Sequence, residues 1–348
     1  MFSTLNLRAL TWATLTVALL AAAVFAGSRG LQNFDAALVP YLVGTFFATF
    51  GIVYRYAVWL QRPPTRRFWT RSLELMFSRR AWRSALTASR KGLSDIAGQA
   101  FVFRRSRSRG LAHFLLAWGC LSAFAITLPL TFGWVHFTLA EGTTAVYRAH
   151  VFGVPVFSFP LGSFVAFNVF HALNWSSLMV LAGVAYFVRK RMTDASLIAT
   201  QTFEFDWMPL LLLGIVSLTG LGLTLDNEFL RGRAYPFMAT THAVSVILFL
   251  LWLPFGKFFH VFQRPAQMGV ALYQEEATEG PQQVCPHTGE AFASQMQVRD
   301  LEDITAELGM DYRLATGGSH LHLSPQGKRA ALATAHLAAR ERSGRFFG

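Results

Sequence analysis

The chain is poor in cysteine. Of its 348 residues, Cys120 and Cys285 are the two thiols, and Cys120 lies inside an apolar run. A disulfide framework is excluded on that count, and so is a resident iron–sulfur cluster, which needs about four thiolates. Charge is scarce too. Asp, Glu, Lys and Arg make up 14% of the chain, against about 25% in soluble domains. Acid is the scarcer sign, 19 residues against 31 basic ones, a net charge of +12. Internal repeats, low-complexity tracts and nucleotide motifs are lacking. Apolar residues fill the space: 53% of the chain, 33 of them Phe, with a mean hydropathy of +0.36. Such a composition excludes an ordinary soluble domain and puts the membrane class first.

Six segments are long and apolar enough to cross a bilayer, which takes roughly 20 residues. They run over 7–27, 37–60, 111–133, 164–188, 207–225 and 237–260. The first also reads as a signal peptide, with Arg8 ahead of an apolar run and small residues at Ala23, Ala26 and Gly27. Its run is long for that, which favours a retained helix. Residues 61–110 carry 13 basic residues against Glu74 and Asp95, and the 189–206 connection opens Arg189-Lys190-Arg191. The opposite loops hold Arg29, Arg148, Arg231 and Arg233. The excess of Lys and Arg puts 61–110, 189–206 and both termini on the cytoplasmic side of the inner membrane. The expected fold is therefore an all-α integral membrane protein, a six-helix transmembrane bundle with a small cytoplasmic C-terminal domain. Its expected parts are two N-terminal helices (1–60), a basic amphipathic loop (61–110), a four-helix domain (111–263) and a tail (264–348).

Within the basic loop, FWTRSLELMFSRRAWRSAL (68–86) alternates apolar residues and arginines at helical spacing. It reads as an amphipathic helix for an anionic leaflet or a cytoplasmic partner. Topology explains the basic charge better than nucleic-acid binding does.

The sixth span carries a histidine near each end, His242 and His260. Eighteen residues at about 100° each bring both to one side of a straight helix, about 27 Å apart. Imidazole inside a membrane is costly, faces a bundle interior or a cofactor, and is a strong axial ligand for haem iron. One helix cannot grip both faces of a haem, so each needs a partner at equal depth. His113 opens the third span at the level where the sixth ends, giving His113–His260 for an inner haem b. His171 stands 18 residues before Arg189, as His242 stands before His260, giving His171–His242 for an outer one. Gly119, Gly256 and the small residues Gly214, Ser217, Gly220 and Gly222 would allow close approach. His150 and His136, in the loop at 134–163, are further candidates, as ligands, as partners of a quinone carbonyl or as plain interfacial groups.

The run from His113 to Pro254-Phe255-Gly256-Lys257 and His260, with His242, resembles the cytochrome b gamma subunit of respiratory nitrate reductases. It also looks like the membrane subunits associated with dissimilatory sulfite reductase and heterodisulfide reductase. The resemblance covers roughly 111–262. It implies haem b and electron exchange between the quinone pool and a partner oxidoreductase. It also implies a fourth ligand on the helix of His113, about three turns on. That stretch reads AFAIT (123–127), so His171 is taken instead.

The polar tail (264–348) has helical patterns at 299–309 and 328–342. CPHTGEAF (285–292) and HLHLSPQGKR (320–329) set Cys285/Thr288 and Ser324/Gly327 in two C-x-x-C frames, like a zinc ribbon that has lost three thiols. A rebuilt metal site would use Cys285, His287, His320 and His322. The plainer expectation is a metal-free docking module packed around Leu301, Ile304, Leu308, Tyr312 and Leu314. Taken together, the sequence predicts a membrane cytochrome b relaying electrons between a quinone and a separate, cytoplasmic-side iron–sulfur or other redox subunit. A transporter, or an anchor without cofactor, is the alternative.

Overall fold

Residues 5–78, 81–314 and 317–343 are described by a computed structural model, which is 72% helix. The chain divides into two compact units, Met1–Val58 with Ser94–Gln263, and Trp59–Leu93 with Arg264–Gly348. The basic loop is thus split. Residues 61–93 belong with the tail, and 94–110 with the apolar helices.

In chain order the helices are α1 (Leu7–Gly27), α2 (Val39–Leu60), α3 (Pro63–Met76), α4 (Ala81–Lys91), α5 (Ala100–Phe103), α6 (Arg107–Thr131), α7 (Phe164–Thr193), α8 (Ala195–Thr200), α9 (Met208–Phe229), α10 (Tyr235–Trp252), α11 (Phe259–Gln263), α12 (Gln267–Glu279), α13 (Gln295–Glu307) and α14 (Pro325–Ser343). Six of them, α1, α2, α6, α7, α9 and α10, are long and apolar enough to cross a membrane, as a multi-pass membrane protein requires. Their outward faces carry large exposed apolar residues such as Trp12, Leu19 and Phe164, a surface suited to lipid. Starts are set by local chemistry. The side chains of Asn6, Ser106 and Ser163 accept the first free N–H groups of α1, α6 and α7.

The first unit is organised around α6 and α7. Glycines let their backbones meet: a Cβ on Gly183 would lie 2.7 Å from the Ala112 carbonyl, and one on Gly119 2.8 Å from the Ser176 carbonyl. α9 packs on α7 and α10. The core between them holds Val180, Val184, Leu213, Phe249 and Leu250, with Ala48 of α2.

Two expectations are corrected here. The chain is not all-α. Residues read as a loop form an antiparallel sheet of β1 (Val135–Leu139), β2 (Val146–Val151) and β3 (Val154–Pro160). β-branched and aromatic residues alternate along these strands. One face, with Phe137, Tyr147 and Phe159, packs on Ala166 and Val169 of α7. The sixth helix also ends at Trp252, before His260, and residues 253–258 are turns. Pro254 has no N–H and its ring clashes with the preceding turn, so the helix stops there. His242 and His260 therefore do not share one straight helix, and the five-turn alignment does not hold.

Arg55, near the end of α2, serves this break. Its Nη1 donates to the carbonyls of Pro254 (2.7 Å), Phe255 (3.1 Å) and Gly256 (3.5 Å). Its guanidinium lies 4.3 Å over the Phe259 ring. Asp206 fixes the far side, accepting from Lys257 Nζ at 2.5 Å and pairing with Arg191 at 3.2 Å.

In the second unit α12 packs on α3 and α4, and α13 on α3. A capping box between Ser294 and Gln297 starts α13. Its acids at 300, 303 and 307 share one face and meet the arginines of α3. Arg66 pairs with Glu307 at 2.5 Å, Arg67 with Asp303, and Arg71 with Asp300 at 3.0 Å. Asp300 is 2% exposed and also accepts from the Tyr273 hydroxyl at 3.1 Å. The predicted tail core is met in part: Ile304 and Leu314 are half-buried, while Tyr312 is exposed. Leu301 and Leu308 are 45% and 46% exposed, whereas Leu272, Val298, Leu321 and Leu323 are buried. Of the predicted amphipathic stretch, Arg79 and Arg80 lie outside the described residues.

Candidate functional site

Inside the first unit lies a cavity of about 460 Å³ walled by α2, α6, α7, α9 and α10. Ligand pockets run from about 300 to 1,000 Å³. Its lining is mainly apolar, from side chains such as Phe124, Val180 and Phe249. Polar groups interrupt the wall, among them Tyr41 from α2, Thr127 from α6, Asn174 and Ser177 from α7, Thr224 from α9 and His242 from α10.

His242 is the histidine on this wall, and its orientation is fixed by α9. Its Nδ1 stands 2.9 Å from Thr219 Oγ1. That hydroxyl donates to the Ile215 carbonyl at 2.7 Å, and on that pattern we assign Nδ1 as the donor and Nε2 as the nitrogen with the lone pair. Gly220 supplies the room, since a Cβ there would approach His242 Cε1 to 3.3 Å. Elsewhere on the wall, Thr224 Oγ1 donates to Asn174 Oδ1 at 3.0 Å, which leaves the Asn174 amide N–H groups as donors.

The other predicted ligands lie elsewhere. His171 sits on α7, but residues 170, 173, 174, 176, 177 and 180 face the cavity, and His171 points roughly 140° away from their centre at about 100° per residue. Its Nδ1 is 2.8 Å from the Phe167 carbonyl, and its ring stacks on Phe167 at 4.4 Å. The pair His171–His242 is not assembled across this cavity. His113 is half-buried on α6, 2.7 Å from Gln99 Oε1 and edge-on to Phe187. Gln99 adopts a left-handed conformation (φ 50°) that presents it there. His260 is exposed on α11, with its Nδ1 2.5 Å from the Lys257 carbonyl.

No family model, curated protein or solved structure matches this chain.

His136 and His150 are brought together. They face each other across β1 and β2, their rings parallel within 7° at 4.7 Å. Thr138 Oγ1 lies 2.9 Å from His150 Nε2, and His136 Nδ1 is buried without a partner. Burial, then the neighbouring His150 and Arg29, hold the His136 imidazole below its ordinary pKa.

The two C-x-x-C frames of the tail also converge. Thr288 Oγ1 and Ser324 Oγ are 3.2 Å apart, and Cys285 Sγ lies 2.6 Å from where a Cβ on Gly327 would be. Sulfur thus fills the place of a fourth side chain. Burial would push the Cys285 thiol up. Hydrogen bonds from Thr288, Ser324 and the His287 backbone outweigh it and bring it down to about 6. The rebuilt set with histidines is not formed: His322 pairs with Glu302 at 2.7 Å and His320 stacks on Tyr312. Among the described residues no group of three or more His, Cys, Asp or Glu side chains could hold a metal ion.

Sequence reasoning passed over Arg55, Thr219, Asn174 and Thr224. Each is a polar residue inside an apolar run, and in such runs a polar group marks an internal partner or a cavity. That was the available signal.

Proposed function

We propose that the protein is a membrane cytochrome b-like subunit that passes electrons between the quinone pool and a partner oxidoreductase. One observation carries this reading: an apolar cavity among the membrane helices holds an oriented imidazole, His242, tied through Nδ1 to Thr219. A haem-ligating histidine is held in this way, its other nitrogen donating to an outer partner. Thr219 is that partner here, and Gly220 leaves space beside the ring. When bound, haem b supplies one-electron transfer. The chain's own residues orient the imidazole, keep water away with apolar walls and offer hydrogen bonds at the rim.

The cavity wall does not fit the predicted pair. It presents Asn174 and Thr127 with His242 but, among the described residues, no second imidazole, and a six-coordinate iron is not part of this reading. The same wall favours a second occupant, a quinone head group. His242 and Asn174 would serve its carbonyls while apolar side chains hold the ring. The excess of Lys and Arg supports an inner-membrane location with 61–110 and the tail in the cytoplasm. An iron–sulfur or other redox partner would then approach from that side.

A visible spectrum of the protein, purified from haem-replete cells, tests the reading. A reduced b-type band that is lost in His242→Ala and kept in His171→Ala supports it. A colourless protein that releases quinone on solvent extraction supports the quinone occupant. A colourless protein with neither ligand overturns both.

A further inference from the structure

α4 is packed the wrong way round for a soluble helix. Its inward side is made of small residues. Ala88 is 8% exposed and Ser84 donates to the Leu75 carbonyl at 3.1 Å. The following Gly92 lies against Met268 of α12. Its outward side carries large apolar residues: Trp82 is 78% exposed and Leu86 38%, four residues apart and within about 40° of one another on a helix. Leu93, 71% exposed, follows in the π-helical segment Gly92–Ala97 that succeeds α4. Ser89, seven residues after Trp82, is a small exposed residue on the same face of α4. Phe77, at the turn between α3 and α4, is 81% exposed. Arg83 and Arg90 border the stripe, and α4 contains no acidic residue. Among the described residues of its own unit nothing covers this face.

We propose that this stripe lies in the interface of an anionic bilayer leaflet, with Trp82, Leu86 and Leu93 among the acyl chains and Arg83 and Arg90 on the lipid phosphates. Three observations choose lipid over a protein partner. An exposed Trp with Leu suits the headgroup boundary. The flanking charge is of one sign, complementary to anionic headgroups. The chain enters α3 directly from the apolar helix α2 and runs on from α4 to the apolar helix α6, so sequence alone tethers the stripe beside the bilayer. The inference does not depend on the redox reading.

The test uses the full chain in lipid nanodiscs, with hydrogen–deuterium exchange read on peptides covering 82–93. One set of discs is pure phosphatidylcholine and the other contains phosphatidylglycerol. Two arginines facing anionic lipid slow exchange by about 30-fold in the anionic discs. Arg83→Gln/Arg90→Gln removes that lipid dependence. Trp82→Ser/Leu86→Ser removes protection in both discs, while α13 peptides stay protected and report an intact unit. Equal exchange in the two discs overturns the proposal. So does protection that appears in phosphatidylcholine only when a protein partner is added.

Discussion

Replacing Arg55 tests how the broken sixth helix is held. In Arg55→Met the apolar stem remains, but three carbonyls lose their donor. Two of those contacts, at 2.7 and 3.1 Å, are good charge-assisted hydrogen bonds, and such bonds contribute about 1.5–3 kcal/mol each. The third, at 3.5 Å, adds little. The stacking over Phe259 adds about 0.5–1 kcal/mol at a partly exposed site. Because neighbouring water takes over part of this, the net loss is roughly 3–5 kcal/mol. For a unit of this size that corresponds to a fall of roughly 6–10 °C in Tm. The assay is thermal unfolding of the detergent-solubilised protein, followed by intrinsic fluorescence. Arg55→Lys should recover only part of this, because the ammonium can donate to the carbonyls but lacks the planar face that lies over Phe259. A fall of under about 2 °C in Arg55→Met would show that the break is held by something else, and the argument would fail.

Three further outcomes are expected. Gly327→Ala forces a Cβ to within 2.6 Å of Cys285 Sγ, so it should destabilise the tail by about 1–3 kcal/mol, the scale of overpacking; limited proteolysis of 264–343 reads this, and unchanged resistance would contradict the packing. Asp300→Asn removes the charge that Arg71 and Arg67 face at a 2% exposed site and should cost about 2–4 kcal/mol, seen as faster amide exchange in α3 and α13 together. Since the folded-state pKa of His136 is depressed, its neutral form stabilises the sheet above the ordinary value near 6.5, and that stability drains away as pH falls below it. Tm should therefore drop between about pH 7 and pH 5, and less so in His136→Asn; equal slopes in both proteins would remove the effect from this residue.

How much of this was legible in the sequence follows from what each signal measures. Hydropathy counts apolar residues, so the six long helices were visible, and 7–27 matches α1 to the residue. Hydropathy does not see hydrogen bonds, so Pro254 left no mark in the apolar run while ending the helix. The sheet was legible in principle. Phe152-Gly153, both at positive φ (51° and 75°), make a tight turn between alternating β-branched strands. The same residues were also apolar enough to pass as membrane loop. In the basic loop, Arg66, Arg67 and Arg71 read as topology because their partners, Asp300, Asp303 and Glu307, lie more than 220 residues away in sequence. The histidines show the same limit. Spacing along one helix can put His242 at a depth, but which wall it faces depends on Thr219 and Gly220 of a neighbouring helix. The two C-x-x-C frames of the tail stood out because that spacing is itself a local turn geometry. What occupies them, a sulfur held by hydroxyls, needed coordinates.

The most direct test of the central claim is the reduced-minus-oxidised visible spectrum of the purified full-length protein beside its His242→Ala variant. The account predicts a b-type difference band in the first and its loss in the second, with both proteins folded to the same extent. An identical band in the two would take His242 out of the site.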